Sequence, residues 1–475
     1  MKNVVYRTII LCSCIIIGLS AFSQGSCTLS RQQMREDFDT LCTTIKRVSP
    51  HIQVKKDLWN YNALKEIAAT RGRIDTISSD LSFYLLLLQT VNRAQDSHTS
   101  LIEPQSLWVK QQAGIYGQLR SLFKLSFAHE YSGGRYIVSS PFRAGGDTIP
   151  VGSQVVSVDH QPVDQYVRGH LWARGDARFD IKLKKFYCLG FYKNTETVFR
   201  DTLAFTFKKP DGRISSLNMP TRQFVDFLPH EEAAEKDTSR VEFWDDARIL
   251  YIRLAEMDPE AIPALKSRIH AFAGSLNDQS KIVVDFRNNP GGEDTAWMEL
   301  YSSILPDKIL TRLKIDQTFD PSLPADQDPL LKKFHFSVYT QSKDSILPDE
   351  HSIRFRGPIY VLAENYYSSA GSAMRIPNAN KADRFYTVGR KTGYFLGIGL
   401  SPVQFVLPHS GLRFRIAPSM ETSDAHSLQD LMFDDVEMEA PYSVQDMINR
   451  YYLSGKMSRK AFMLQYDPYF KVILR

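Results

Sequence analysis

Residues 357–374 read GPIYVLAENYYSSAGSAM, and their reading decides the fold. Residues 358–363 form a short apolar run rich in β-formers, bounded by Gly357 and by Glu364-Asn365, which predicts a buried strand. Ser368, Ser369, Ala370, Gly371, Ser372 and Ala373 follow. Residues this small permit a tight turn and a helix start at the strand end. A serine there stands at the carboxyl end of a sheet with helical N–H groups beside it, the exposed, donor-rich position that an acyl-transfer nucleophile requires. The same residues also make an ordinary serine-rich N-cap. The rest of the chain decides between the two.

A related turn lies upstream. Residues 281–286 predict a strand that ends in Arg287-Asn288-Asn289-Pro290-Gly291-Gly292, with a helix from about Asp294 to Leu305. Glycines let the backbone approach a ligand, and consecutive N–H groups at such a turn bind an oxyanion. Residues 249–254 form another strand, and 263–276 an amphipathic helix with Pro263 in its first turn, where no N–H is needed. This βα order predicts a sheet with parallel neighbours. Residues 307–350 read as charged loop, a strand lies near 384–388, and 403–407 and 412–416 flank Pro408-His409-Ser410-Gly411 as a hairpin.

Residues 28–103 read as helical, with apolar residues at helical spacing over 29–48, 60–69 and 81–91. The last of these delivers Gln95-Asp96-Ser97-His98-Thr99-Ser100-Leu101. Asp96, Ser97 and Thr99 can each hydrogen-bond an imidazole and fix its tautomer, which makes His98 a candidate base; the alternative is a capping or loop histidine. Over 105–225 short β-runs alternate with turns, at 136–139, 154–158 and 202–207 and around Gly145-Gly146-Asp147. Residues 149–163 look like the centre of a PDZ domain, with Gly152-Ser153 and Asp159-His160 in place of more usual residues. That likeness implies a peptide groove formed by strand addition; the alternative is a small β-insert without a ligand.

The chain has 475 residues, too many for one core, and its 43% hydrophobic and 23% charged content is that of a globular protein. A net charge of +5, with no basic block interleaved with aromatics, gives no case for nucleic acid. Residues 1–23 read as a secretory signal: Lys2 and Arg7, an apolar run over 9–17, and Ala21-Phe22-Ser23 before Gln24. No later run is apolar enough for a membrane helix, so the protein is expected in the periplasm or cell envelope, with Cys27 as the site of any lipid anchor. Cys27, Cys42 and Cys188 are too few for a disulfide framework. No HExxH occurs and the eleven histidines are scattered, which argues against a metallohydrolase. No cofactor or metal is expected.

The segments Asp96-Ser97-His98-Thr99, Asp285-Phe286-Arg287-Asn288-Asn289-Pro290-Gly291-Gly292 and Ser369-Ala370-Gly371-Ser372, in that order, resemble the C-terminal-processing (tail-specific) serine peptidases, in the branch related to the tricorn core. The resemblance covers roughly residues 30–445. It implies a crotonase/ClpP-like α/β core in a mixed, multi-domain chain, with Ser369 as nucleophile and His98 as general base. Gly291 or Gly292 would complete an oxyanion hole with the N–H of Ala370, and Asp285 and Arg287 would hold the turn. Ser372 stands where the family usually has Glu, and Phe395 where the tail-specific branch has the lysine of its Ser–Lys dyad, with Lys391 nearby. The family's orienting carboxylate falls in the altered region 433–439, where Asp434 is the candidate. The expected organisation is a signal peptide over 1–23, a helical region over 24–104 and a PDZ-like insert over 105–225. An α/β peptidase core over 240–455 and a tail over 456–475 complete it. Two functions fit: an exported serine peptidase acting on peptides or proteins, or a catalytically inactive peptide-binding member of the same fold.

Overall fold

The computed structural model describes residues 27–49, 51–96, 98–102, 127–173, 175, 177–180, 182–188, 191, 202–220, 226–227, 237–310, 314–317, 339–342, 345–363, 384–390, 402–421, 436–440 and 442–475. Its centre is a six-stranded sheet. The strand order is Arg240–Trp244, Ile249–Arg253, Lys281–Asp285, Ile359–Ala363, Phe385–Gly389 and Met438–Glu439. The first pair is antiparallel and the remaining pairs are parallel. All five residues of Ile249–Arg253 are buried, because both faces of the sheet are covered; a continuous apolar run, not alternation, is the pattern such a strand needs.

Helices Ile262–Phe272 and Asp294–Ser302 cover one face, packing Leu265, Ile269, Trp297, Leu300 and Tyr301 on the strands. The other face is closed by the C-terminal helices Arg459–Tyr466 and Pro468–Ile473. Their Met463, Tyr469, Phe470 and Ile473 join Trp244, Tyr251, Val283 and Leu362 in one cluster. The stretch read from sequence as a tail is therefore the second layer of the core.

The N-terminal region is helical. Ser30 and Gln33 form a capping box that starts helix Arg31–Val48, and Met34, Phe38, Leu41, Ile45 and Val48 line its inner stripe. Helix Asp80–Asn92, capped by Ser79 and Ser82, runs through the middle of this layer. Beyond it stands an antiparallel sheet in the order Ile214–Pro220, Thr202–Lys208, Gln154–Val158, Arg135–Val138 and His129–Ser132. Asp159 and His160 both have positive φ, the geometry of a tight hairpin turn, after which the chain enters helix Val163–Gly169. Helices and insert share one hydrophobic core. Trp59 stacks on Phe179 with ring centroids 5.6 Å apart, and Tyr61 meets Phe186 edge-on at 5.5 Å.

The hairpin Val403–Val406 and Arg413–Ile416 belongs to this N-terminal core and not to the large sheet. Ser100–Leu101 adds to it as a third strand, pairing with Arg415 and Phe414. Asp37, fully buried on helix Arg31–Val48, accepts the backbone N–H groups of His409 and Ser410 at 2.8 Å each and so caps the hairpin turn. No disulfide joins the three described cysteines. Among the described residues no helix is long and apolar enough to cross a membrane.

Replacing Asp37 leaves two buried backbone donors without an acceptor. Asp37→Ala is expected to cost about 2–4 kcal/mol in urea unfolding, and Asp37→Asn less, since its amide oxygen still accepts. Equal, negligible losses in both variants would show that the turn holds without the carboxylate.

Candidate active site

The segment Asp285-Phe286-Arg287-Asn288-Asn289-Pro290-Gly291-Gly292 leaves the carboxyl end of a central parallel strand, and the side chains of Asp285, Arg287 and Asn289 in it are all hydrogen-bonded. Asp285 Oδ1 accepts the Arg287 backbone N–H at 3.0 Å and its Nε at 2.9 Å, while Oδ2 accepts Nη2 at 2.7 Å and the Tyr251 hydroxyl at 2.9 Å. Arg287 Nη1 reaches on to Asp467 Oδ2 at 2.5 Å, at the junction of the two C-terminal helices. Arg253, also buried, donates from Nη1 to the carbonyls of Leu254 and Asp285 and pairs with Asp237. Burial pushes the Asp285 carboxyl up, but the Arg287 guanidinium, with Arg253 beyond it, outweighs this and holds it at about 2.

Asn289, fully buried, sets the turn that follows. Its Nδ2 donates to Leu254 O at 2.9 Å and its Oδ1 accepts the Gly291 N–H at 2.8 Å. The Gly291 carbonyl accepts from Met257 N, and Glu293 N donates to Met257 O, so the turn is sewn to Met257 on both sides of Gly292. In a parallel bridge of this kind the central residue's own N–H faces away from the partner strand. Among the described residues the Gly292 N–H has no acceptor, whereas that of Gly291 is occupied by Asn289. Gly291 and Gly292 have φ of +108° and +137°, and a Cβ on Gly292 would sit 2.3 Å from Met257 O, so no other residue fits there.

His98 sits in a tight turn after helix Asp80–Asn92. Asp96, buried, accepts the His98 backbone N–H on Oδ1 at 3.1 Å and the Thr99 hydroxyl on Oδ2 at 2.6 Å. The aspartate thus shapes the turn through its backbone. The chain then enters Ser100–Leu101 on the 403–416 hairpin, where Arg415 Nε donates to Ser100 Oγ at 3.0 Å.

The insert is tied to the carboxyl end of the large sheet. Glu130 Oε2 accepts Arg390 Nη2 at 2.7 Å, directly after strand Phe385–Gly389, and Oε1 meets Arg450 Nη1 at 3.4 Å. Burial opposes the Glu130 charge, yet Arg390 and Arg450 hold its carboxyl below the ordinary range. Arg390 lies over the Tyr442 ring at 4.1 Å, and Ser132 Oγ donates to Tyr442 O at 2.7 Å. A cavity of about 200 Å³ flanks the Asp285 network, walled by Arg287, Asn288, Arg450 and Arg459 among others.

Residues 248–430 match the model of Peptidase family S41. The chain carries an S41 peptidase domain. Its enzyme class is serine-type peptidase, and the expected family and α/β, multi-domain fold both hold. The crystal structure of mature CPAF aligns at a TM-score of 0.58 and 13% identity, over 89% of this chain and 95% of that one. The structure of mature CPAF complexed with lactacystin aligns at 0.56 and 12%, over 89% and 96%. The photosystem II D1 C-terminal processing protease aligns at 0.40 and 15%, over 89% and 98%. At these identities the likeness to CPAF is one of fold. No curated protein matches the sequence significantly.

In the matched domain the strand Ile359–Ala363 lies beside Lys281–Asp285, and Phe286 N donates to Leu362 O at 2.9 Å. The described end of this strand therefore lies beside the strand that leads into the glycine turn. Ser369 and Ala370, together with Lys391, Phe395 and Asp434, lie outside the described residues. Tyr251, Arg253 and Asp467 were not singled out from the sequence. Tyr251 and Arg253 share strand Ile249–Arg253 and Asp467 caps helix Pro468–Ile473, and only the folded core brings them to Asp285.

The Asp285 carboxyl is held below its unfolded value of about 3.9. Its contribution to stability is therefore present above about pH 4 and lost as pH falls toward 2. Asp285→Asn is expected to cost about 3–5 kcal/mol at pH 7, because it removes one partner of a buried pair. The loss relative to wild type should shrink on acidification from pH 4 to pH 2, as followed by urea unfolding. A loss independent of pH across that window would exclude the ion pair as its source.

Proposed function

We propose that this protein is an exported serine peptidase in which Ser369 attacks a peptide carbonyl, His98 accepts its proton, and the N–H groups of Gly292 and Ala370 stabilise the tetrahedral oxyanion. The observation that carries this reading is the glycine turn. It stands at the carboxyl end of a central strand in an S41 domain, Asn289 takes the Gly291 N–H, and the Gly292 N–H has no acceptor among the described residues. Peptide or protein chains are the substrate. The insert over 105–225 is read as PDZ-like, and it is joined to the core through Glu130 and Arg390, so a chain end held by it would be delivered to the sheet end where chemistry is proposed. The apolar run over 9–17 and the site before Gln24 support export to the periplasm or cell envelope.

A second reading, an inactive peptide-binding member of the fold, is favoured by Ser372 and Phe395 at positions where the family carries Glu and Lys. A serine-reactive phosphonate separates the two: the peptidase is labelled once, at Ser369, and the binding protein is not labelled. On a peptide substrate, Ser369→Ala is expected to lower kcat by several orders of magnitude with the fold intact, and His98→Ala nearly as far. The double variant should lose little more, because the pair acts as a unit. Labelling or loss at Ser368 instead would move the nucleophile by one residue. Gly292→Ala should also abolish turnover, since its Cβ displaces the donor turn. For export, the mature protein is expected to begin at Gln24 when its N-terminus is sequenced from the cell envelope; an intact N-terminal Met1 would refute cleavage there.

A further inference from the structure

Lys55, on helix His51–Trp59, is 3% exposed, a placement that a lysine rarely adopts without a specific partner. Its Nζ donates to the Gln95 carbonyl at 2.5 Å and approaches the Ala94 carbonyl at 3.4 Å, with the Trp59 ring centroid 5.4 Å away. These carbonyls belong to the turn that introduces Asp96 and His98. Gln95 itself has φ of +52°, a left-handed conformation that costs a non-glycine residue energy and persists only when its surroundings impose it. They do so through its side chain and its carbonyl. The Gln95 side chain donates to Asn92 O at 2.7 Å and to Leu171 O of the insert at 2.6 Å, and accepts from Ala177 N at 3.1 Å. The Gln95 carbonyl is held separately, by Lys55. Asp96 is the carboxylate whose field favours the Lys55 charge, and Asp96 in turn holds the His98 N–H and the Thr99 hydroxyl.

We propose that Lys55 is a positioning residue for the His98 general base: its buried ammonium pins the carbonyls of the left-handed turn at 94–95 and thereby fixes Asp96 and the backbone from which the imidazole projects. The inference rests on the reading of His98 as the base. An ammonium makes charge-assisted hydrogen bonds to these carbonyls, stronger than those of a neutral donor, and also balances the buried Asp96. Burial pulls the Lys55 amine down to about 8, with Asp96 opposing that shift and Arg178, from strand Arg178–Asp180, adding to it. The charge that holds the turn is therefore present below about pH 8 and lost above it, and the turn should loosen as pH rises through that value.

The test uses the full-length protein. Lys55→Met preserves the apolar stem and removes the ammonium. Hydrogen exchange across residues 92–101 is expected to quicken by about tenfold or more, with helix Arg31–Val48 unchanged. Turnover of a short peptide should fall in kcat by about 10²-fold, the scale of a displaced catalytic group, with KM little altered. The alkaline decline of kcat near pH 8 in wild type should disappear, and Lys55→Arg should restore part of the protection. Should Lys55→Met not fold, wild-type exchange over 92–101 between pH 7 and pH 9.5 replaces it: the proposal requires a rise beyond the intrinsic base-catalysed one. Unchanged exchange in the variant, or no excess rise in wild type, overturns the role of Lys55. If His98→Ala keeps full activity while Lys55→Met still loosens the turn, the failure lies with His98 as base. If His98→Ala is inactive and Lys55→Met retains wild-type kcat and its alkaline limb, the failure lies with Lys55.

Discussion

The buried network of Asp285, Arg287, Tyr251 and Asp467 is the constraint on which the rest of the catalytic half depends. Its members come from two neighbouring parallel strands, the turn after one of them, and the helical C-terminus. A carboxylate and a guanidinium this deeply buried are tolerable only when nearly every donor and acceptor is met, and the turn that meets them is the one that exposes a glycine N–H at the sheet end. Arg287 thus joins two requirements in one side chain. It neutralises Asp285, and through Asp467 it holds the C-terminal helices against the second face of the sheet.

The other half is organised by a single hydrophobic core rather than by separate units. The N-terminal helices, the β-insert and the 403–416 hairpin bury their apolar faces together. One consequence is that Ser100–Leu101, immediately after His98, is anchored by a hairpin more than 300 residues away in sequence. The His98 turn is therefore positioned by long-range packing on both flanks: helix Asp80–Asn92 before it and the hairpin after it. Asp37 contributes from a third direction by capping that hairpin.

The two halves meet at Glu130, Arg390 and Arg450. Arg390 follows a core strand and Arg450 lies on helix Val444–Leu453, while Glu130 is on an edge strand of the insert. The Glu130 and Arg390 charges would be costly to bury alone. Their pairing, with Tyr442 beneath Arg390, makes the contact between insert and core specific in register as well as favourable in energy.

The amino-acid sequence by itself determined the central strands, the helix starts and the glycine turn. Apolar runs at 249–252, 282–284 and 359–363 suit strands covered on both faces. Ser30, Ser79 and Ser443 are N-caps by local chemistry, and Gly292 occupies a backbone conformation and a gap that admit no side chain. These features act within a few residues, so they are legible from spacing. Tertiary structure alone decided the rest. It turned 456–475 from a tail into the cover of the sheet, moved the 403–416 hairpin to the N-terminal core, and buried Lys55 against Gln95. Each of these depends on partners brought together by packing, which leaves no periodicity in the chain. A hydrogen bond or ion pair between residues tens to hundreds apart is set by the geometry of the assembled layers, and it exists only once those layers have packed.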